Sequence, residues 1–251
     1  MGLIRGNMLP ILEECERRDF EGEVLFLGAP DIYFDLSHLK RMAKFTKVKF
    51  DKTIPWLLAP KPTFAQKGYL DGVTLFKKLG FQKVSVLDIS AFEGADIIFD
   101  LNSEKPPADL SERFDMIIDH GTLEHVFHFP NALNNVFKML KIGGRAITSS
   151  PSNSFFDHGF YMFQPTLFVD FYAANNWRIE SIKVVQFTHN QEKEPCFFAD
   201  YEPGLFDSVG YGKMDGKLYS TFCVATKTEI STGSIIPQQG SYVRQGNWSR
   251  S

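Results

Sequence analysis

A chain of 251 residues, 43% hydrophobic and 23% charged, has the material for one α/β domain with insertions, since length sets only a soft prior on domain number. A formal net charge of -3 excludes a global attraction to nucleic acid or to an anionic membrane surface. Cys15, Cys196 and Cys223 are odd in number and far apart, which excludes a disulfide framework or zinc knuckle, and no apolar run reaches the roughly 18 residues of a bilayer span.

Residues 8–20 read as a short helix with Leu9 and Leu12 inward, and 24–27 as the first strand. Gly28-Ala29-Pro30-Asp31 then sits where a strand hands over to a loop, the place where ligands bind in open α/β sheets. Residues 35–52 carry Lys40, Arg41, Lys44, Lys47, Lys49 and Lys52, which read as a solvated helix face followed by a strand of alternating charge. Residues 53–68 hold three prolines and no period, and form an insertion or lid offering Trp56 and Phe64 to a cleft. Helix resumes from Asp71, an N-cap, to Gly80. Strands follow at 83–89, with Asp88 near its end, and at 97–99, with Asp100 after it.

Residues 114–144 organise the rest. Met116, Ile117 and Ile118 make a strand buried on both faces, the chain turns at His120-Gly121, and Leu133, Val136, Phe137 and Leu140 fall at helical spacing up to a left-handed stop at Gly143. A strand at 145–150 runs into Pro151, a helix spans 165–175, and the last strands lie at 179–187 and 218–226. The alternation argues for an α/β, Rossmann-like doubly wound sheet of seven strands, mostly parallel with a late antiparallel strand. One domain over 1–230 is expected, with insertions at about 35–68 and 189–216, and a polar, mobile tail over 231–251. Gly28, Asp88, Asp100, Asp119 and Pro151 then share one rim of the sheet.

Five stretches in this order resemble the class I S-adenosylmethionine-dependent methyltransferases: VLDIS (86–90), EGADIIFDLN (93–102), FDMIIDHGTLEHV (114–126), LNNVFKMLKIGGRAITSSPSN (133–153) and DHGFYMFQPTLF (157–168). The resemblance covers roughly residues 84–175 and implies methyl transfer with S-adenosyl-L-methionine as cofactor. It also implies site residues: Gly28 and Asp31 in the first turn, Asp88 and Ile89 at the ribose, Asp100 and the backbone of Leu101 at adenine, and Asp119, His120 and Gly121 at the methionyl end. The first turn departs from the family's glycine-rich pattern, offering one glycine and a proline, and Gly28 lies far from Asp88 for such a fold.

If the acceptor is a hydroxyl, a base must remove its proton, and His158 is the leading candidate, with His125 and Glu124 beside it. Asp157, Tyr161 and Trp56 are candidates for the acceptor wall. His120, Glu124, His125 and His128 lie within nine residues, but their spacing alone does not make ligands converge, and no metal is expected. The leading expectation is O-methylation of a small polar metabolite, a sugar or similar, in the cytoplasm, with no membrane partner and an acceptor nitrogen left open. The alternatives are a cofactor-binding protein without transferase activity, and a nucleic-acid methyltransferase using the basic segment 38–52. A nicotinamide-dependent oxidoreductase is disfavoured because no G-x-G-x-x-G follows the first strand.

Overall fold

The computed structural model describes residues 2–244. Eight strands form one sheet: β1 Glu23–Leu27, β2 Lys83–Asp88, β3 Ile97–Ile98, β4 Phe114–Asp119, β5 Leu140–Asn153, β6 Arg178–Phe187, β7 Phe197–Asp200 and β8 Leu218–Thr226. Their order across the sheet is β3-β2-β1-β4-β5-β8-β6-β7. Strands β1 to β5 are parallel, and β8 runs antiparallel between β5 and β6. The expected seven strands become eight because β7, inside the 189–216 insertion, adds an exposed edge to β6.

The helices are α1 Arg5–Arg17, α2 Leu36–Met42, α3 Pro62–Ala65, α4 Gly72–Lys78, α5 Phe129–Met139, α6 Pro165–Ala174 and α7 Gly240–Arg244. Strand alternation divides the core in two. Val24, Phe26, Met116 and Ile118 face α1 and α4 through Met8, Ile11, Leu75 and Phe76. Leu25, Leu27 and Ile117 face α5 and α6 through Leu133, Val136, Phe168 and Tyr172. Each such side chain contributes about 1.5–3 kcal/mol by leaving water, so a strand buried on both faces is strongly placed in register.

Three expectations change locally. Residues 46–50 form no strand after α2, although Lys40, Arg41, Lys44, Lys47, Lys49 and Lys52 are solvent-exposed as a charged face requires. Helix α5 does not run to a glycine stop: the buried Lys227 ammonium caps it, donating to Phe137 O at 3.0 Å and Leu140 O at 2.7 Å. The chain enters β5 directly at Leu140, and the left-handed Gly143, with φ +80°, absorbs a register shift against β4. The third concerns the C-terminal stretch. Residues 231–235 dock on the end of α6, where Thr232 Oγ1 and Ile235 N both donate to Asn175 Oδ1 and Trp177 Nε1 donates to Thr232 O. The part of the expected tail from residue 245 onward lies outside the described residues.

Two ion clusters fasten the amino ends of the strands. Arg145 on β5 and Glu14 on α1 meet at 2.7 Å, both almost wholly buried, and Arg145 also donates to Arg18 O and Asp19 O. Because removing one partner strands a buried charge, Glu14→Ala should cost about 3–5 kcal/mol in urea denaturation, and Glu14→Leu/Arg145→Met should recover most of it. A single variant no less stable than the double would show that the pair carries no such penalty.

Glu23 accepts from Arg113 and Ser85 at 2.8 Å and pairs with Lys83 at 3.0 Å. Burial opposes its ionisation, but the hydrogen bonds from Arg113, Ser85 and Lys83 outweigh burial and hold its carboxyl at about 2, against an ordinary 4.5. A depressed folded-state value means stability that is complete above pH 4.5 and is lost as pH falls through about 2. Glu23→Gln should therefore reduce the pH dependence of stability in this window, measured by urea titrations at successive pH values; an unchanged acid limb would refute the assignment.

Candidate active site

The carboxyl ends of the parallel strands bring most of the sequence-derived candidates to one rim. Gly28 leaves β1 at φ +80° and donates its N–H to Leu87 O at 2.8 Å, so the exits of β1 and β2 are tied by backbone. Thr122, beyond β4, donates its hydroxyl to Leu27 O at 2.7 Å, and a Cβ built on Gly28 would stand 2.7 Å from that hydroxyl oxygen. The exits of β2, β1 and β4 thus form a continuous ledge that a side chain at position 28 would disturb.

Asp88 closes β2 with its Oδ1 accepting from Ile89 N at 2.6 Å, and no other described group bonds its carboxylate. Asp100 is exposed, and its Oδ1 accepts from Asn102 N and Nδ2 in a local turn. The Leu101 side chain is core, and its carbonyl accepts from Asn135 Nδ2 at 3.3 Å. Asp31 is engaged by Lys61, whose Nζ lies 2.5 Å from Asp31 and 2.7 Å from Glu93. The 53–68 insertion therefore reaches over the gap between the β1 and β2 loops through a lysine that no sequence pattern singled out.

The turn after β4 is built around buried charge. Asp119 accepts from Thr122 N at 2.9 Å and Ser150 Oγ at 3.3 Å. Burial, and then the facing Glu124 charge, push its carboxyl well above the usual range. His120 has both ring nitrogens shielded, and burial pushes its imidazole down to about 3, so it is neutral at pH 7. Gly121 follows at φ +97°.

A second group forms where the exits of β4 and β5 meet. Glu124 and His125 lie in the 3-10 turn Leu123–His125. Glu124 is 0% exposed, and neither carboxylate oxygen has a hydrogen-bond partner among the described residues. His158 arrives from the loop after β5, its Nε2 3.4 Å from Glu124 Oε1, and its ring centre lies 5.0 Å from that of His125. The loop is fixed by Glu124 itself, whose carbonyl accepts Phe160 N at 2.8 Å and Tyr161 N at 3.2 Å. Gly159 permits this approach: a Cβ there would meet Glu124 O at 2.9 Å and His125 Nδ1 at 3.2 Å. His128 is instead the N-cap residue of α5, so Glu124 and His128 do not share a helix face.

The acceptor-wall candidates separate. Asp157 is exposed at φ +60° in the same loop. Tyr161 donates its hydroxyl to Phe127 O at 2.8 Å and stacks on Phe163. Trp56 is not brought to the rim: it lies under the Lys78 ammonium at the end of α4, just ahead of the amino end of β2, where Lys78 holds the insertion by donating to Ile54 O. The rim instead exposes Phe92 (92%) after β2, Phe127 after β4, and Phe156 (85%) and Phe160 after β5. Exposed aromatics gathered on strand-end loops mark a surface made for a ligand.

A model of the methyltransferase domain family matches residues 77–189. The fold is similar to that of S-adenosylmethionine-dependent methyltransferases from Methanosarcina mazei (12% identity, 91% of this chain and 99% of that chain, TM-score 0.44) and Thermotoga maritima (18%, 89% and 89%, 0.40). It is also similar to that of a geranyl diphosphate methyltransferase solved in complex with S-adenosylmethionine (9%, 89% of this chain and 85% of that chain, 0.44). No curated protein matches the sequence.

One glycine outside the first turn completes the ledge. A Cβ on Gly72, the first residue of α4, would collide with the carbonyl oxygen of Pro30. Gly72→Ala should cost more than the ~1 kcal/mol typical of backbone-limited glycine sites, because a backbone atom must move, whereas Gly216→Ala meets nothing within 4 Å. Equal denaturation midpoints for the two variants would show that the α4 contact is not tight.

Proposed function

We propose that the chain, whose residues 77–189 match the methyltransferase domain family, works as a class I S-adenosylmethionine-dependent enzyme and methylates an oxygen of a small polar metabolite, a sugar or a similar polyhydroxylated compound. The observation that carries the reading is the buried Glu124 carboxylate facing His158 Nε2 at 3.4 Å, beside the exit of β4. A hydroxyl nucleophile has a proton to lose, and this pair is placed to receive it.

The rim residues fit the cofactor. Asp88 has a carboxylate open to two vicinal ribose hydroxyls, Ile89 and Phe92 supply exposed apolar surface beside it, and Gly28 leaves room over the first turn. Asp100 is the candidate at the adenine edge with the backbone of Leu101, and Asp119, His120 and Gly121 are the candidates at the methionyl end. When bound, S-adenosylmethionine supplies a methyl carbon whose C–S bond breaks, with its electron pair passing to sulfur, as the bond to the acceptor oxygen forms.

This chain's residues do the rest. His158, whose Nε2 faces Glu124, accepts the hydroxyl proton on Nδ1, and Glu124 stabilises the imidazolium that results. His125 and Asp157 border the acceptor, while Tyr161, its hydroxyl already committed to Phe127 O, contributes a rigid aromatic wall. Phe127 and Phe160 pack edge to face and screen the reacting atoms from water.

Calorimetric titration with S-adenosylmethionine and with its demethylated product tests the cofactor half. Asp88→Ala should weaken both by at least about tenfold, the worth of one good charge-assisted hydrogen bond, and unchanged affinity would remove Asp88 from the site. A panel of sugars and polyols, read by release of the demethylated cofactor, tests the acceptor half. Turnover only with amines would overturn the oxygen assignment, and cofactor binding without turnover on any acceptor class would favour a protein that binds but does not transfer.

A further inference from the structure

We propose that Glu124, His125 and His158 together form a binding site for one divalent first-row transition ion, whose open coordination positions take the acceptor oxygen. The second clause rests on the methyl-transfer reading above; the first stands without it.

Each of the three residues offers one ligand atom, and these atoms lie within 4.8 Å of one another. The Glu124 Oε1 to His158 Nε2 separation of 3.4 Å is about the edge of a tetrahedron drawn with metal–ligand bonds of ~2.1 Å. The second, independent observation is the state of the donors. Glu124 is 0% exposed with both carboxylate oxygens unpartnered among the described residues, and His158 Nε2 is likewise buried without a hydrogen bond. Burying an ionised carboxylate without compensation is too costly to persist. One protonated imidazole would compensate a single oxygen; a dication compensates the carboxylate and uses both imidazole lone pairs at once.

The donor set selects the ion. Mg2+ and Ca2+ favour all-oxygen shells, whereas two imidazoles and one carboxylate suit the borderline ions from Mn2+ to Zn2+. Three protein ligands also leave positions open, as catalytic rather than structural metal sites do. The ligands are held on backbone rather than on long side chains: Glu124 and His125 are consecutive in one turn, and the His158 loop is clamped to the Glu124 carbonyl by two amides. Gly159 keeps the space beside His125 Nδ1 clear, and His125 itself is exposed, which gives an ion a path of entry.

In the loaded protein the ion acts as a Lewis acid with no change of oxidation state. It would lower the pKa of a bound acceptor hydroxyl, whose proton would leave to solvent base, and the oxygen lone pair would form the bond to the methyl carbon as the C–S bond breaks with its electron pair passing to sulfur. With the ion bound, His158 Nε2 would be a ligand, and its role as proton acceptor belongs to the ion-free protein, so the two roles have separate signatures.

The full-length protein, stripped with chelator, is titrated with Mn2+ alone and with Zn2+ alone by calorimetry, and Mn2+ binding is followed by electron paramagnetic resonance. The expected result is one equivalent bound, with nitrogen coupling from imidazole in the pulsed spectrum. Glu124→Gln, His125→Ala and His158→Ala should each weaken binding at least about tenfold, the low end for disturbing a metal shell, with His128→Ala unchanged. Circular dichroism of each variant guards against misfolding, and the nitrogen coupling in the wild type needs no variant at all. Failure of both ions to bind at millimolar concentration, or binding unaffected by all three substitutions, overturns the site. Metal binding in a protein that binds neither cofactor form leaves the site standing and overturns the methyl-transfer reading instead.

Discussion

Everything at the reactive end of this protein depends on the main-chain carbonyl of Glu124. By accepting both Phe160 N and Tyr161 N it joins the loop that leaves β4 to the loop that leaves β5. Two backbone hydrogen bonds at one acceptor are modest in net energy, roughly 1 kcal/mol each, but their geometric effect is large. They set the phase of the 154–161 loop, so His158 can only fall beside the carboxylate of the residue whose carbonyl anchors it. The residue that fixes the loop is thus also the residue whose buried carboxyl group the loop must face.

That arrangement needs a stiff platform, and the sheet supplies it. Alternation along β1 and β4 buries both faces, so neither strand can slip by a residue without turning half its side chains into the wrong core. At the far end, Arg145 and Glu14 lock β5 to α1, and Lys227 caps α5 while holding β5 against the strand that follows. The charged groups that fasten the fold are therefore gathered near the amino ends of the strands. Apart from the Lys61 pairs to Asp31 and Glu93, the carboxyl ends carry charges that are unpaired, pushed off their ordinary ionisation, or exposed beside aromatics, as a site for charged or polar ligands requires.

The sheet and most helices were legible in the sequence for the same reason. Periods of two and 3.6 report burial, and burial dominates where a strand has both faces covered, as in 114–118. What escaped is what periodicity does not encode. β7 is exposed along its length and owes its existence to pairing with β6, so no apolar pattern announces it. The end of α5 was misplaced because a lysine 87 residues away caps it, a tertiary contact with no local trace. At the candidate site, the positions of Asp88 and Asp119 at the ends of β2 and β4 were legible from the strand pattern alone, whereas Trp56 was drawn in by its aromaticity and lies instead under Lys78, away from the rim. Histidine spacing alone did not decide which of His120, Glu124, His125 and His128 converge; the fold separates His120 and His128 from the other two, and His158, expected beside Glu124 and His125, reaches them from the loop after β5.

The first turn, which reads as poor in glycine, is better understood as one close-packed motif split by an insertion. Backbone approach at a strand-to-helix turn needs small residues at both ends, one where the strand exits and one where the helix begins. In this chain the strand-end glycine is Gly28, with φ +80° and Thr122 filling the space a side chain would take. The helix-start glycine is Gly72, pressed against Pro30 O, and the residues between them leave the turn as α2, α3 and the Lys61 loop before returning to Asp71. The rigid proline is then no defect. It fixes the carbonyl against which α4 packs, and the long separation between Gly28 and Asp88 is the length of chain inserted between two halves of one turn. The same insertion sends Lys61 back across the gap to Asp31 and Glu93, so the segment that interrupts the motif also spans the space above it.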